Sequence, residues 1–295
     1  MHKRLTRSDF GWVLVIVTLW GFAFVPIKWA LVDIPPFMLA ALRFLFAALP
    51  AALLVRRPRM PWAIVAAYGI AIGVIQYGLL FLGMQLGMPA GLSSLVIQLQ
   101  VFFTIFLAFA FFSERPNRWQ VAGAGIAFAG IAVIAAERLQ GTALLPLLLT
   151  IAAAVCWGLG NMASKKAGRV DMLSFICWSA LVPPIPLLAA SLLLEGPGAI
   201  PAAFEAITWR GIGSIAFMSY AATIFGFGVW AWLLSRYPAS QVSPFALFVP
   251  VAGILSAALL LGETISLIEV IGSVLVFAGL VATVLGPRLF VRRPA

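Results

Sequence analysis

The chain has 295 residues, 63% of them hydrophobic and 9% charged, with a mean hydropathy of +1.11; soluble domains carry about a quarter charged residues, so water is not its main solvent. A single histidine, His2, excludes His-based acid–base catalysis and most zinc sites, and no Gly-x4-Gly-Lys-Ser/Thr loop provides an ATPase. The net charge of +10 would suit a nucleic-acid partner, but its placement along the chain argues for a membrane instead.

A spanning helix needs about 20 mostly apolar residues, and ten such windows are predicted. The first, Phe10–Leu31, carries Trp20, Phe24 and Pro26, with Lys28 one turn from its end. It lacks a small-residue cleavage site and reads as a retained span, not a signal peptide. The second, Pro36–Val55, holds Arg43 and Pro50; the third, Trp62–Leu86, holds Gln76 and Tyr77; the fourth, Leu92–Phe112, holds Gln98. Trp119–Ala136 is the fifth. The sixth, Ala143–Lys165, carries Pro146, Trp157 and Asn161; the seventh, Met172–Leu194, carries Pro183. Ile207–Leu234, with Tyr220 and Thr223, is the eighth, followed by Ser240–Leu261, with Pro244 and Pro250, and by Ser266–Gly286. The expected fold is an all-α integral membrane protein of ten transmembrane helices.

The chain repeats itself. Trp20-Gly21 and Lys28 align with Trp157-Gly158 and Lys165 at an offset of 137, and Glu114, Gly123 and Phe128-Ala129-Gly130 align with Glu263, Gly272 and Phe277-Ala278-Gly279 at an offset of 149. The expected units are 10–136 and 143–286, five spans each. An odd number of spans makes the second unit run opposite to the first, and inverted repeats of this kind mark secondary transporters, with substrate bound where the repeats meet. With a cytoplasmic N-terminus, 15 of the 19 Lys and Arg residues fall inside, among them Arg56, Arg57, Arg59, Arg115, Arg118, Lys165, Lys166 and Arg236, together with Lys3, Arg4, Arg169, Arg292 and Arg293. This follows the positive-inside rule and predicts both termini in the cytoplasm of a multi-pass inner-membrane protein.

All nine acids map to connectors or helix ends: Asp33, Glu137, Glu195, Glu205, Glu263 and Glu269 outside, Asp9, Glu114 and Asp171 inside. A proton relay through a mid-membrane carboxylate is therefore unsupported, and downhill flow of a metabolite is the simplest mechanism. Arg43, roughly 10 Å into its span by helix rise, either meets a substrate carboxylate or pairs with Asp33 or helix-end carbonyls. Lys28 reads as snorkelling and Lys165 as a positive-inside anchor. Asn161 shares a helix face with Trp157 and either bonds substrate or a neighbouring helix. Trp20, Phe24, Gln76, Tyr77, Gln98, Tyr220 and Thr223 are the remaining candidates for the substrate pocket; Trp62, Trp209, Trp230 and Trp232 read as an interfacial aromatic belt. Pro26, Pro50, Pro146, Pro183, Pro244 and Pro250 each free a carbonyl and are candidate hinge or gating positions. Gly69-xxx-Gly73 and Gly83-xxx-Gly87-xxx-Gly91 would permit close helix approach. Cys156 and Cys177 lie at different depths and read as packing residues, and no metal or cofactor is called for.

Trp20-Gly21, Pro35-Pro36-Phe37 with Arg43-Phe44, Gly87-Met88-Pro89-Ala90-Gly91, Glu114-Arg115, Trp157-Gly158-x-Gly160-Asn161, Pro250-x-x-Gly253 and Gly262-Glu263 resemble the EamA family of the drug/metabolite transporter superfamily. The likeness is greatest to its bacterial exporters of cysteine and O-acetylserine and to the YddG-type amino-acid exporters. The resemblance implies a ten-helix carrier that releases amino acids or related small metabolites by alternating access, through a cavity between the halves; by their position Trp20, Arg43, Trp157 and Asn161 are expected as its cavity or gating residues. Its partners would be small-molecule substrates and the lipid bilayer. The alternatives are proton-coupled efflux of drugs or other metabolites on the same fold, an intramembrane enzyme, which the missing histidines and mid-membrane acids argue against, and a static scaffold.

Overall fold

The computed structural model describes residues 6–141, 144–168, 171–237 and 239–290; His2, Lys3, Arg4, Ala143, Arg169, Pro238, Arg292 and Arg293 lie outside the described residues. Helices dominate, and no strand occurs among the described residues. The long helical segments are α1 Arg7–Asp33, α2 Pro36–Leu54, α3 Trp62–Gln85, α4 Ala90–Phe112, α5 Arg118–Gly141, α6 Leu145–Ala167, α7 Met172–Glu195, α8 Trp209–Arg236, α9 Pro244–Leu261 and α10 Leu267–Phe290. Nine of them are long and apolar enough to cross a membrane, and α2 is a shorter apolar helix packed among them.

Proline accounts for two of the breaks in these helices. α1 is interrupted at Ala23, where Pro26 has no N–H to offer the carbonyl of Phe22. α7 opens into a turn at Ala180–Pro183, where Pro183, Pro184 and Pro186 leave the carbonyls of Ser179, Ala180 and Val182 without their helical donors. Pro50 stays inside a continuous helix. Pro146 and Pro244 occupy first turns, where a missing N–H disrupts nothing, and Pro250 is the third residue of an α-helical run from Phe248.

Two further irregularities recur at the offset of 149. α3 widens into a π-helix over Gly69–Gln76 and α8 over Phe217–Phe225. α4 and α9 both end on a left-handed residue, Ser113 at φ 55° and Gly262 at φ 65°. In each case the following glutamate donates its N–H back into the last turn, Glu114 to Ala108 and Glu263 to Ala257.

α5 and α10 meet backbone to backbone. A Cβ on Gly123 would lie 2.5 Å from the carbonyl oxygen of Gly279, and one on Gly279 would lie 2.4 Å from that of Gly123; Gly130 and Gly272 face each other likewise, at 2.5 and 2.8 Å. In a membrane, where lipid removes the hydrophobic drive for helix association, such close approach is the main source of adhesion. The Gly69 and Gly73 pair also packs closely, a Cβ on Gly73 falling 2.0 Å from Pro183 Cγ. Gly87 differs from the sequence expectation: it has φ 109° and open space around it, so it makes a turn, not a packing contact.

Carboxylates tie the two halves of the chain together across one end of the bundle. Asp33 of α1 accepts from the N–H and hydroxyl of Thr208 at the start of α8. Glu195 of α7 accepts from Phe37 N–H in the first turn of α2 at 2.7 Å. Glu263, after α9, accepts from Ala90 and Gly91 N–H in the first turn of α4 at 2.7 and 3.0 Å. Glu137 of α5 accepts from the hydroxyl of Ser266 at 2.7 Å. Three of these four ties satisfy helix N-terminal amides, which have no partner within their own helix and are costly to leave bare at membrane depth.

Gly279→Ala should cost about 1–3 kcal/mol through overpacking, whereas Gly125→Ala on α5, whose added methyl meets nothing within 4 Å, should be neutral or mildly stabilising. Thermal unfolding of the two detergent-purified variants against the parent checks this.

Candidate functional site

A cavity of about 220 Å³ lies among α2, α3, α6, α7 and α8, so both halves of the chain wall it. The sequence candidates Arg43, Gln76, Tyr77, Trp157, Asn161 and Thr223 all line it. No aspartate or glutamate is among its lining residues.

Arg43 is the centre of the arrangement. It is only 5% exposed, and its guanidinium carbon stands 3.8 Å from the centroid of the Tyr77 ring and 5.2 Å from that of Phe44. A cation against aromatic faces recovers part of its lost hydration. Its Nη2 donates to Thr223 Oγ1 at 3.1 Å, and that hydroxyl in turn donates to Met218 O at 2.8 Å, five residues back along the π-helix. Ser219 donates to the backbone carbonyl of Arg43 at 2.9 Å, fastening α8 to α2. The sequence reading offered Asp33 or helix-end carbonyls as structural partners for Arg43. Asp33 is instead engaged by Thr208, and the partner of Arg43 is a side-chain hydroxyl.

Gln76 is 1% exposed, and neither its amide nitrogen nor its amide oxygen has a hydrogen-bond partner among the described residues; Arg43 Nε is likewise unpaired. Such groups are costly to bury without a partner. Asn161 combines the two readings left open for it: its Nδ2 donates to Gln100 Oε1 and Thr104 Oγ1, both at 2.9 Å, while its side chain lines the cavity. Both amide hydrogens are therefore held by α4, which fixes the orientation of the side chain.

Four candidates lie elsewhere. Trp20 donates from Nε1 to Ala222 O at 2.9 Å and packs its ring 5.2 Å from those of Phe227 and Trp230, which do line the cavity; it stands behind the wall. Phe24 is buried in the main apolar core. Gln98 falls in the single 3-10 turn of α4 and is not a lining residue. Tyr220 is 44% exposed on the outer surface, because α8 turns that face away from the bundle.

Trp230 is a correction in the other direction. Expected in an interfacial belt, it lines the cavity; six residues separate it from the end of α8, a depth of about 9 Å. The signal for it was available: Thr223, Phe227, Trp230 and Leu234 all line the cavity and follow one helical face at spacings of four, three and four. Of the hinge candidates, only Pro183 touches the cavity. Lys28 donates to Met84 O at 2.7 Å near the end of α3, and Lys165 forms an ion pair with Glu114. Among the described residues no group of His, Cys, Asp and Glu could hold a metal ion.

The model of the EamA-like transporter family matches residues 10–136 and again 144–285. This chain belongs to the EamA-like transporter family. Among relatives of this family member, a "Probable amino-acid metabolite efflux pump" of Salmonella typhimurium is 43% identical over 99% of both chains. A protein of the same name from Escherichia coli K12 is 41% identical over 96% of this chain and 97% of its own. A "Probable terminal-alkyne amino-acid exporter" of Streptantibioticus cattleyicolor is 27% identical over 94% and 93%. A crystal structure superposes with a TM-score of 0.66 over 97% of this chain and 99% of its own; at 20% identity it speaks for the fold alone. An EamA-like chain is a transporter.

The bonds from Asn161 to Gln100 and Thr104 predict non-additivity. Asn161→Ala and Thr104→Val should each destabilise the protein, and the double variant should lose less than their sum by about 0.6 kcal/mol, a typical interhelical hydrogen-bond coupling in membranes. A double-mutant cycle by reversible unfolding in mixed micelles measures it.

Proposed function

We propose that this transporter exports amino acids and related small metabolites across the bacterial inner membrane by alternating access, as a facilitative carrier without ion coupling. The observation that carries the reading is a cavity walled by both halves, polar at Arg43, Gln76, Asn161 and Thr223 and aromatic at Tyr77, Trp157 and Trp230. Small-ligand sites combine apolar walls with a few placed polar groups in this way. A nucleotide sugar's phosphates would need more than one cation, and Arg43 is the one cation among the lining residues. The names of the relatives from Salmonella and Escherichia support the same substrate class. The absence of an acid from the lining supports transport without a proton relay.

In this reading the ten helices form two inverted five-helix repeats with both termini in the cytoplasm. The distribution of Lys and Arg supports that orientation, and the paired π-helices, left-handed caps and facing glycines at matching offsets support the duplication. The carboxylate ties would then close the outer face, while the cavity reaches Met172, Ser164 and Leu234 toward the inner one. Substrate would enter from the cytoplasm, and exit would require the ties of Asp33, Glu137, Glu195 and Glu263 to release.

Counterflow of a radiolabelled amino-acid panel into preloaded proteoliposomes tests this. Flux should saturate, should be indifferent to an imposed pH gradient, and should fall about tenfold in Asn161→Ala, equivalent to about 1.4 kcal/mol. Amino-acid flux that requires the gradient would overturn the uncoupled mechanism, and no flux of any amino acid would overturn the substrate class.

A further inference from the structure

We infer that the cavity selects substrates by their carboxylate, which Arg43 and Gln76 take up together and which the substrate cannot lack. This rests on the reading of the cavity as the substrate site and goes beyond it in naming the group that is recognised. Three observations carry it. Arg43 is a full charge, nine-tenths buried, with no carboxylate among the lining residues to neutralise it. A buried cation without a counter-ion is unfavourable, so the site is electrostatically incomplete until an anion enters. The second observation is that the guanidinium has one side-chain hydrogen bond, to the neutral hydroxyl of Thr223, and keeps Nε unpaired. A planar guanidinium presents paired N–H groups that match a carboxylate in bidentate fashion, and Thr223 occupies only one of them. Third, Gln76 is 99% buried in the same wall with both ends of its amide unpaired. An amide N–H₂ supplies a further donor to a carboxylate oxygen, and its carbonyl supplies an acceptor for an ammonium group.

The remaining walls account for the other end of a zwitterion. Tyr77, Trp157 and Trp230 offer aromatic faces, to which an ammonium group is attracted, and Asn161 is fixed through its N–H₂, so that its carbonyl oxygen is the part left to accept. Charge recognition is thus asymmetric: the carboxylate meets a formal opposite charge, while the ammonium meets only dipoles and π faces. A compound retaining the carboxylate but lacking the amine should compete for the site, and an amine lacking the carboxylate should not.

The test compares four compounds of similar size, serine, serinamide, ethanolamine and 3-hydroxypropionate, in two assays on the full-length protein. The first is thermal stabilisation in detergent, which reads binding without transport; the second is competition against counterflow of a labelled amino acid. Serine and 3-hydroxypropionate should stabilise and compete, with ethanolamine and serinamide at least tenfold weaker, and Arg43→Gln should abolish the distinction. Gln76→Leu is the second variant. Because it removes two unpaired buried polar atoms, it should raise the melting temperature while weakening serine at least fivefold; a residue with only a structural role would lower the melting temperature instead. Equal effects of serine and serinamide, or a carboxylate preference that survives both substitutions, would overturn the inference. Stabilisation by carboxylates without amino-acid flux would keep it and overturn the amino-acid exporter reading; amino-acid flux that ethanolamine inhibits as well as serine does would do the reverse.

Discussion

The structure depends on how helix ends are satisfied where water is scarce. A helix that begins at the edge of a bilayer exposes amides that its own backbone cannot bond. In this chain the missing acceptors for α2, α4 and α8 come from carboxylates of the opposite half, Glu195, Glu263 and Asp33. One kind of interaction therefore does two things: it completes three helices and holds the halves together at one end. The cavity lies between elements that these contacts position, since α2 and α8 carry Arg43 and Thr223.

Much of this architecture was legible in the sequence, because membrane physics writes itself coarsely. The apolar windows marked the helices to within a few residues; the long segments begin and end close to Arg7–Asp33, Trp62–Gln85 and Ala90–Phe112. The polar residues at mid-depth were conspicuous for the same reason, and six of those singled out face one cavity. Less was legible where the answer depends on rotation about a helix axis. Tyr220 and Thr223 are three residues apart, yet one faces outward and the other the cavity; the π-helix between Phe217 and Phe225 changes the angular spacing that a regular helix would impose. Trp20 was recognisable in the sequence, but its place behind the cavity wall was not, since its hydrogen bond to Ala222 requires knowing that α1 lies along α8. The acids were correctly placed at helix ends, but which amides they would meet is a long-range fact that no local pattern contains.

The chemistry of the cavity also follows from scarcity. Several polar side chains at depth serve the fold: Asn161, Thr223 and Ser219 each tie one helix to another or lock a carbonyl. Arg43 and Gln76 keep unpaired polar atoms, as do the hydroxyls of Ser93, Ser179, Ser214, Ser273 and Thr283, and of these Arg43, Gln76 and Ser179 line the cavity. An unsatisfied group that lines a cavity is one a ligand can satisfy.

The glycines of α5 and α10 bear on how such a molecule is put together. Where Gly123 meets Gly279 and Gly130 meets Gly272, backbone carbonyls lie against the opposing glycines, with Thr283, Ile134 and Ala127 packed beside them. A methyl group at any of these four positions would meet the opposing chain at under 3 Å. The seam thus leaves no room for a side chain between α5 and α10 and joins them as a pair set apart from the helices that line the cavity.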